Sequence, residues 1–278
     1  MNNEAKLSQR IAAANVATGH ISCWWLGGSG FVFKTAKGTV VYLDAYLSDA
    51  VKAIFGADRA FAPPIDPQDV RADAFIATHW HEDHLDPGLI PIAARNNPDA
   101  RFIMPPSATA HALSWGVTRS QIAPLQWGQT VQIADVTVEA TPARHEANIP
   151  GWEVPDAMGV LLSTGELTIY HCGDTEYDVR LRRLKARHPD VALLCINGIT
   201  GNMDAHEAAL MAWHLGAGLV VPMHHYLWAV TTGTAEETLN PELFAGTYGR
   251  LGGAGQTIIP AIGGEIDLVR RRVVTDPA

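Results

Sequence analysis

The chain has 278 residues, 47% apolar and 18% charged, which excludes a disordered protein and supplies enough apolar mass for a large sandwich or α/β core. A formal charge of −9, from 20 basic and 29 acidic residues, argues against a polyanionic substrate, so no nucleic-acid partner is expected. Three cysteines, Cys23, Cys172 and Cys195, each in or beside an apolar run, make no disulfide framework and read as buried thiols of a cytoplasmic protein.

The first residues lack the basic and apolar regions of a signal peptide, and an amphipathic helix over 4–16 is expected. It would be an N-terminal extension, about residues 1–19, on a single domain covering 1–278. No apolar run approaches the roughly 20 residues that span a bilayer, so no membrane partner is expected. Strand-like runs follow at 20–26, 31–35 and 39–43, rich in aromatic and β-branched residues. The glycines between the first two, in WWLGGSGFVFKT, lack phosphate-loop spacing and read as a tight turn. Residues 61–67, with three prolines, read as a surface loop, and 74–78 as the next strand.

Asp86-Pro87 has the form of a helix cap followed by proline at the first helical position, with Pro91 then inside that helix. Further strands are expected at 101–104, 131–133, 136–141, 159–163, 167–171, 191–196, 219–221 and 256–259. Residues 176–187 read as a helix that halts before Pro189, its basic residues a solvated face. Asp204 and Glu207 form a capping box for a helix that runs through Leu215 and stops at Gly216.

The stretch THWHEDHLD, after strand 74–78, crowds His79, His81, Asp83 and His84 into six positions. Histidine and carboxylate are ligands for zinc, manganese or iron ions. A turn of this kind could hold two ions side by side, His79 and His81 on one, Asp83 and His84 on the other. His145, Asp174 and His224 each follow a predicted strand, where α/β architectures place their sites. His224 rather than His225 is the expected ligand, because neighbouring side chains on an extended segment point apart. Asp44, at the end of strand 39–43, is placed to orient a ligand histidine. Asn197, His225 and Tyr226 are expected to meet substrate. His20, His111, His188, His206 and His214 read as structural, and Trp24, Trp25, Trp115, Trp127, Trp213 and Trp228 as core or cleft wall.

His79-x-His81-x-Asp83-His84 with His145, Gly173-Asp174-Thr175 and His224 resembles the metal signature of the metallo-β-lactamase superfamily. Trp24-Trp25-Leu26-Gly27, Trp115-Gly116-Val117, Gly201-Asn202-Met203 and residues 222–228 resemble its L-ascorbate-6-phosphate lactonase branch. The resemblance implies an α/β fold, the αββα four-layer sandwich, with two divalent metal ions (Zn, Mn or Fe) in a cleft at one edge. It assigns His79, His81 and His145 to one ion, Asp83, His84 and His224 to the other, and Asp174 as the bridge. The expected function is a metal-dependent hydrolase that opens a small polar lactone by attack of a metal-bound hydroxide, with Asp83 and Asp174 as the catalytic carboxylates. The alternatives are a phosphodiesterase on a small substrate other than nucleic acid and a non-catalytic metal-binding protein. The expected partner is a small-molecule substrate, and the chain is compatible with a homo-oligomer. With no evident cluster of phosphate-binding groups, phosphate on the substrate is expected to be dispensable.

Overall fold

The computed structural model describes residues 5–146, 149–199, 201–229 and 240–275. Alternation along the first strands sets the layers. In β1 (Ile21–Gly27) and β2 (Gly30–Thr35), Cys23, Trp25, Phe31 and Phe33 join one apolar cluster, while Trp24, Leu26 and Val32 join another. Successive side chains of a strand point to opposite faces, so these strands are apolar on both and both must be covered.

One sheet has the order β15-β14-β1-β2-β3-β4-β5-β6. It adds β3 (Val40–Leu43), β4 (Ala74–Ile76), β5 (Arg101–Met104), β6 (Ile122–Pro124), β14 (Glu265–Asp267) and β15 (Arg272–Thr275). The other runs β13-β12-β11-β10-β9-β8-β7. Its strands are β7 (Thr130–Ile133), β8 (Val136–Pro142), β9 (Met158–Ser163), β10 (Thr168–His171), β11 (Val191–Cys195), β12 (Leu219–Met223) and β13 (Gln256–Thr257). Strands β3 to β6 pair in parallel, as do β10 to β13, so each sheet has a parallel block whose carboxyl ends open on one edge.

Helices α1 (Leu7–Ala13), α3 (Ile90–Asn96) and α4 (Pro106–Ser114) bury Leu7, Ile11, Ile90, Ala93, Ala108 and Ala112 against the outer face of the first sheet. Helices α5 (Ala205–Leu215) and α6 (Pro241–Arg250), with the 3-10 helix Val179–Arg187, cover the second. The four layers are the αββα sandwich. A short helix, α2 (Ala50–Phe55), stands in the connection from β3 to β4. Among the described residues no helix is long and apolar enough to cross a membrane.

Several local expectations shift. The first helix is Leu7–Ala13, shorter than 4–16, and Glu4 lies outside the described residues. Asp86-Pro87 does not start α3; the helix begins at Ile90, with Pro91 in its first turn, where a missing N–H costs nothing. Asp86 instead accepts hydrogen bonds from the backbone N–H groups of Leu47, Ser48 and Gly88, tying two loops together. The helix expected over 176–187 is a 3-10 helix that begins after Asp178, whose carboxylate accepts from Arg180 N. The capping box forms as expected: Asp204 accepts from His206 N and Glu207 N, and Glu207 accepts from Asp204 N at 3.1 Å. The strand expected at 256–259 is two residues, Gln256–Thr257, and two strands follow it that were not expected, Glu265–Asp267 and Arg272–Thr275.

Candidate metal centre

The turn after β4 is wound by its own backbone: His81 O accepts from His84 N at 2.9 Å and from Leu85 N at 2.8 Å. The turn sets His79 beside both His81 and His84, ring centroids 4.5 and 4.0 Å away. Asp44 pins the turn from behind. It follows β3 in the left-handed region (φ +47°), and its N–H bonds Ile76 O. Its carboxylate accepts from Thr78 N and Thr78 Oγ1, both at 2.7 Å, and from His84 Nδ1 at 2.8 Å. That bond fixes the His84 tautomer and leaves Nε2 facing the cluster.

The remaining groups arrive from the second sheet: His145 beyond β8, Asp174 beyond β10 and His224 beyond β12. All seven ligand-type side chains meet. The candidate metal-holding sets are His79, His81 and His145; His79, His84 and Asp174; and Asp83, His84 and His224. Asp174 Oδ2 lies 3.2 Å from His224 Nε2, 3.4 Å from His84 Nε2 and 3.9 Å from His145 Nε2. His145 Nε2 and His81 Nδ1 are 3.2 Å apart, and His224 Nε2 is 3.5 Å from Asp83 Oδ2. Two ligand atoms at about 2.0–2.1 Å from one tetrahedral ion lie about 3.3 Å apart, so these spacings suit shared coordination.

The chemistry of the donor set points the same way. Nε2 of His79, His81 and His84 are buried with no hydrogen-bond partner. Buried polar atoms are rarely left so, and three in one cluster call for a cation. His145 Nδ1 donates to Gly201 O at 2.9 Å, which turns its Nε2 inward. His224 sits at φ +60°, a second left-handed residue in the cluster, and each such residue costs on the order of 1–2 kcal/mol that the surrounding fold must supply.

Charge divides the cluster. Burial, then the neighbouring His84, His81 and His145, hold His79 well below the ordinary imidazole pKa; burial and His145 bring His81 to about 4. Burial also disfavours a charge on His84 and His224, but carboxylates outweigh it: Asp174, Asp44 and Asp83 hold His84 well above the ordinary value, and Asp174 and Asp83 bring His224 to about 10. In return, His84 and His224 overcome burial to take Asp83 down to about 2 and to hold Asp174 well below the carboxylate range.

Some contributors escape a reading of the sequence. Asn202 Nδ2 donates to Asp174 Oδ2 at 2.8 Å, the oxygen at the middle of the cluster, and Asn202 Oδ1 is buried without a partner. Gly201, whose carbonyl holds His145, has φ +89°, and a Cβ there would come within 2.7 Å of Glu146. One turn thus positions His145 and Asp174 together. The glycine turn after β1 also serves the site: Gly28 O accepts from His224 N at 2.8 Å, and Ser29 Oγ reaches Asp174 Oδ1 at 3.4 Å. His171 donates from Nε2 to Ser29 O, which makes it a support of that turn. Gly201-Asn202-Met203 carried a family resemblance; nothing local told which atom Asn202 would meet.

Of the expected substrate contacts, Asn197 is buried with Oδ1 unpartnered, and Tyr226 is exposed two residues past His224. His225 turns away from His224 and packs on Trp25, ring centroids 4.8 Å apart, with burial lowering its pKa to about 4. Trp24 and Trp25 are core, whereas Trp127 and Trp213 are exposed.

Residues 39–225 match the family model described as the beta-lactamase superfamily domain. The chain is 27% identical to the probable L-ascorbate-6-phosphate lactonase UlaG of Escherichia fergusonii, over 80% of this chain and 74% of that protein. Among solved structures it is similar to Igni18, a metallo hydrolase from Ignicoccus hospitalis, with TM-score 0.68 and 21% identity over 89% of this chain and 98% of that one. It is also similar to the isothiocyanate hydrolase from Delia radicum gut bacteria, with TM-score 0.69 and 20% identity over 88% of this chain and 98% of that one. These two likenesses show a shared fold.

Proposed function

The chain belongs to the beta-lactamase superfamily, and on that premise we propose that it is a metal-dependent hydrolase that opens a small polar lactone. The observation that carries the hydrolase reading is the set of buried, unpartnered imidazole nitrogens converging with Asp83 and Asp174. The lactone is favoured by the likeness to the probable lactonase.

His79, His81 and His145 would hold one divalent ion and Asp83, His84 and His224 a second, with Asp174 between. When bound, zinc, manganese or iron would polarise the substrate carbonyl and lower the pKa of water. The residues of the chain do the rest. Asp174, fixed by Asn202 and Ser29, and Asp83, beside His224, orient the attacking water. Its oxygen adds to the carbonyl carbon as the ionised Asp83 takes its proton, the ring C–O bond breaks, and that proton passes from Asp83 to the departing alkoxide, directly or by way of His225 or Tyr226, giving a hydroxy acid. Asn197 and Tyr226 are the proposed contacts to substrate oxygens. Arg144, next to His145 in the chain, is ion-paired with Glu176 at 3.0 Å, so substrate phosphate is proposed to be dispensable.

The test is metal-loaded protein assayed against phosphorylated lactones, unphosphorylated lactones and small phosphodiesters. Ring opening of both lactone sets supports the proposal. Cleavage of phosphodiesters alone replaces it with the phosphodiesterase alternative, and inertness toward all three with full metal content favours a non-catalytic metal protein.

A further inference from the structure

Two exposed aromatic side chains, 97 positions apart in the chain, meet beside the ligand cluster. Phe55 is 50% and Trp152 40% exposed, with ring centroids 5.7 Å apart and planes tilted by 42°. The Trp152 ring also stands edge-on to His81, centroids 5.5 Å apart, while His81 itself is only 6% exposed. The pair therefore runs from the solvent to a member of the cluster.

Both residues are held in place by their backbones. Phe55 is the last residue of α2, which Gly56 closes in the left-handed conformation. The same helix is anchored by buried Val51, whose N–H bonds Tyr46 Oη at 3.3 Å. Trp152 ends a turn in which its N–H bonds Ile149 O and Ile149 N bonds Glu146 O, both at 3.1 Å. Just beyond, buried Val154 pairs with His145 in an isolated β-bridge. Neither aromatic belongs to an apolar cluster of the interior. Ile54, beside Phe55, is exposed as well. Apolar faces fixed in water at the mouth of a buried polar site add little to folding and much to ligand binding.

We propose that Phe55 and Trp152 form an apolar subsite that receives a flat, ring-bearing substituent of the substrate while the scissile ester lies at the His/Asp cluster. Two tilted rings offer one face and one edge to such a group, the geometries aromatic contacts favour. The subsite rests on the reading of the cluster as the hydrolytic centre, and it gives the polar lactone core an apolar appendage.

The experiment uses two γ-lactones that differ only in a phenyl or a hydroxymethyl substituent, with the metal-loaded wild type, Phe55→Ala, Trp152→Ala and Trp152→Phe. The ratio of kcat/KM, phenyl over hydroxymethyl, is expected to fall on the order of tenfold in each alanine variant, mainly through KM, and to be largely kept in Trp152→Phe. Elemental analysis confirming unchanged metal content shows that His81 has not simply been disturbed. Should wild type open neither lactone, calorimetric binding of the phenyl compound decides. Binding that is lost in Phe55→Ala supports the subsite and sinks only the lactone reading; absence of binding to wild type overturns the subsite. An unchanged ratio in both alanine variants also overturns it. So does a wild-type dimer that either alanine variant converts to monomer, since the pair would then be an interface between copies.

Discussion

On one side of Asp174, His79, His81 and His145 face one another with no other carboxylate in their set. On the other, His84 and His224 lie between 3.2 and 3.8 Å from oxygens of Asp83 and Asp174. In the first group, burial and the neighbouring imidazoles keep His79 and His81 neutral near pH 7. The second keeps its protons, because the carboxylates hold His84 and His224 charged. The same residue type is thus ready to bind a cation in one half and must give up a proton to bind one in the other.

Asp174 belongs to both halves, so its removal breaks the comparison altogether. Asp174→Ala is expected to lower metal content on both sides and to reduce kcat/KM by about 10³-fold or more. Full occupancy by elemental analysis would overturn the proposed bridging role of Asp174. Removing one half at a time comes next. His145→Ala and His224→Ala are each expected to cut the proposed stoichiometry of two metal ions toward one, with activity down on the order of 10²-fold. Loss of all metal in both variants would mean that the halves do not load independently.

Smaller effects separate the supports. Asp44→Asn keeps the shape but removes the charge behind His84, and is expected to weaken metal binding on the carboxylate side by about 10–100-fold. Asn202→Ala, which frees Asp174 Oδ2, should cost about tenfold. Competition with a chelator measures both, and equal losses on the two sides in Asp44→Asn would contradict the division.

The smallest effect is in pH. His224 at about 10 lies above the ordinary histidine value of about 6.5, so in metal-stripped protein it stabilises the fold fully below that value and ceases to as pH rises through about 10. His81, at about 4, works the other way: its contribution is present above about 6.5 and is lost as pH falls through about 4. Melting temperatures of chelator-treated protein should fall by a few degrees on each side, with His224→Ala flattening the alkaline arm. Metal titration near pH 8, followed by calorimetry in two buffers, should show proton release for the carboxylate half and little for the other. Equal release from both would refute the electrostatic division.

Much of this molecule was legible because its signals are local. The ligand residues show as a dense turn and three strand-end positions, and the strands that lead into them are runs of three to seven residues, apolar or alternating. The capping box at Asp204 is likewise written within four residues. What escaped depends on distant partners. Strand β14 is three residues long and exists because Ile266 pairs with Cys23, over two hundred positions away. Helix α2 and the exposed Phe55 acquire meaning only beside Trp152.

The sequence by itself determined the chemistry on offer: which side chains can hold a cation, and which strand-like runs precede them. Tertiary structure decided what those groups meet. Asn202 and Asp174 are 28 positions apart and share a 2.8 Å hydrogen bond, and Asp44 reaches His84 over 40 positions. Such distances follow from the packing of two sheets rather than from any local preference, and they decide which imidazoles keep a proton. The identity of a ligand is a property of its residue, whereas its basicity and aim belong to the neighbours that the fold brings to it.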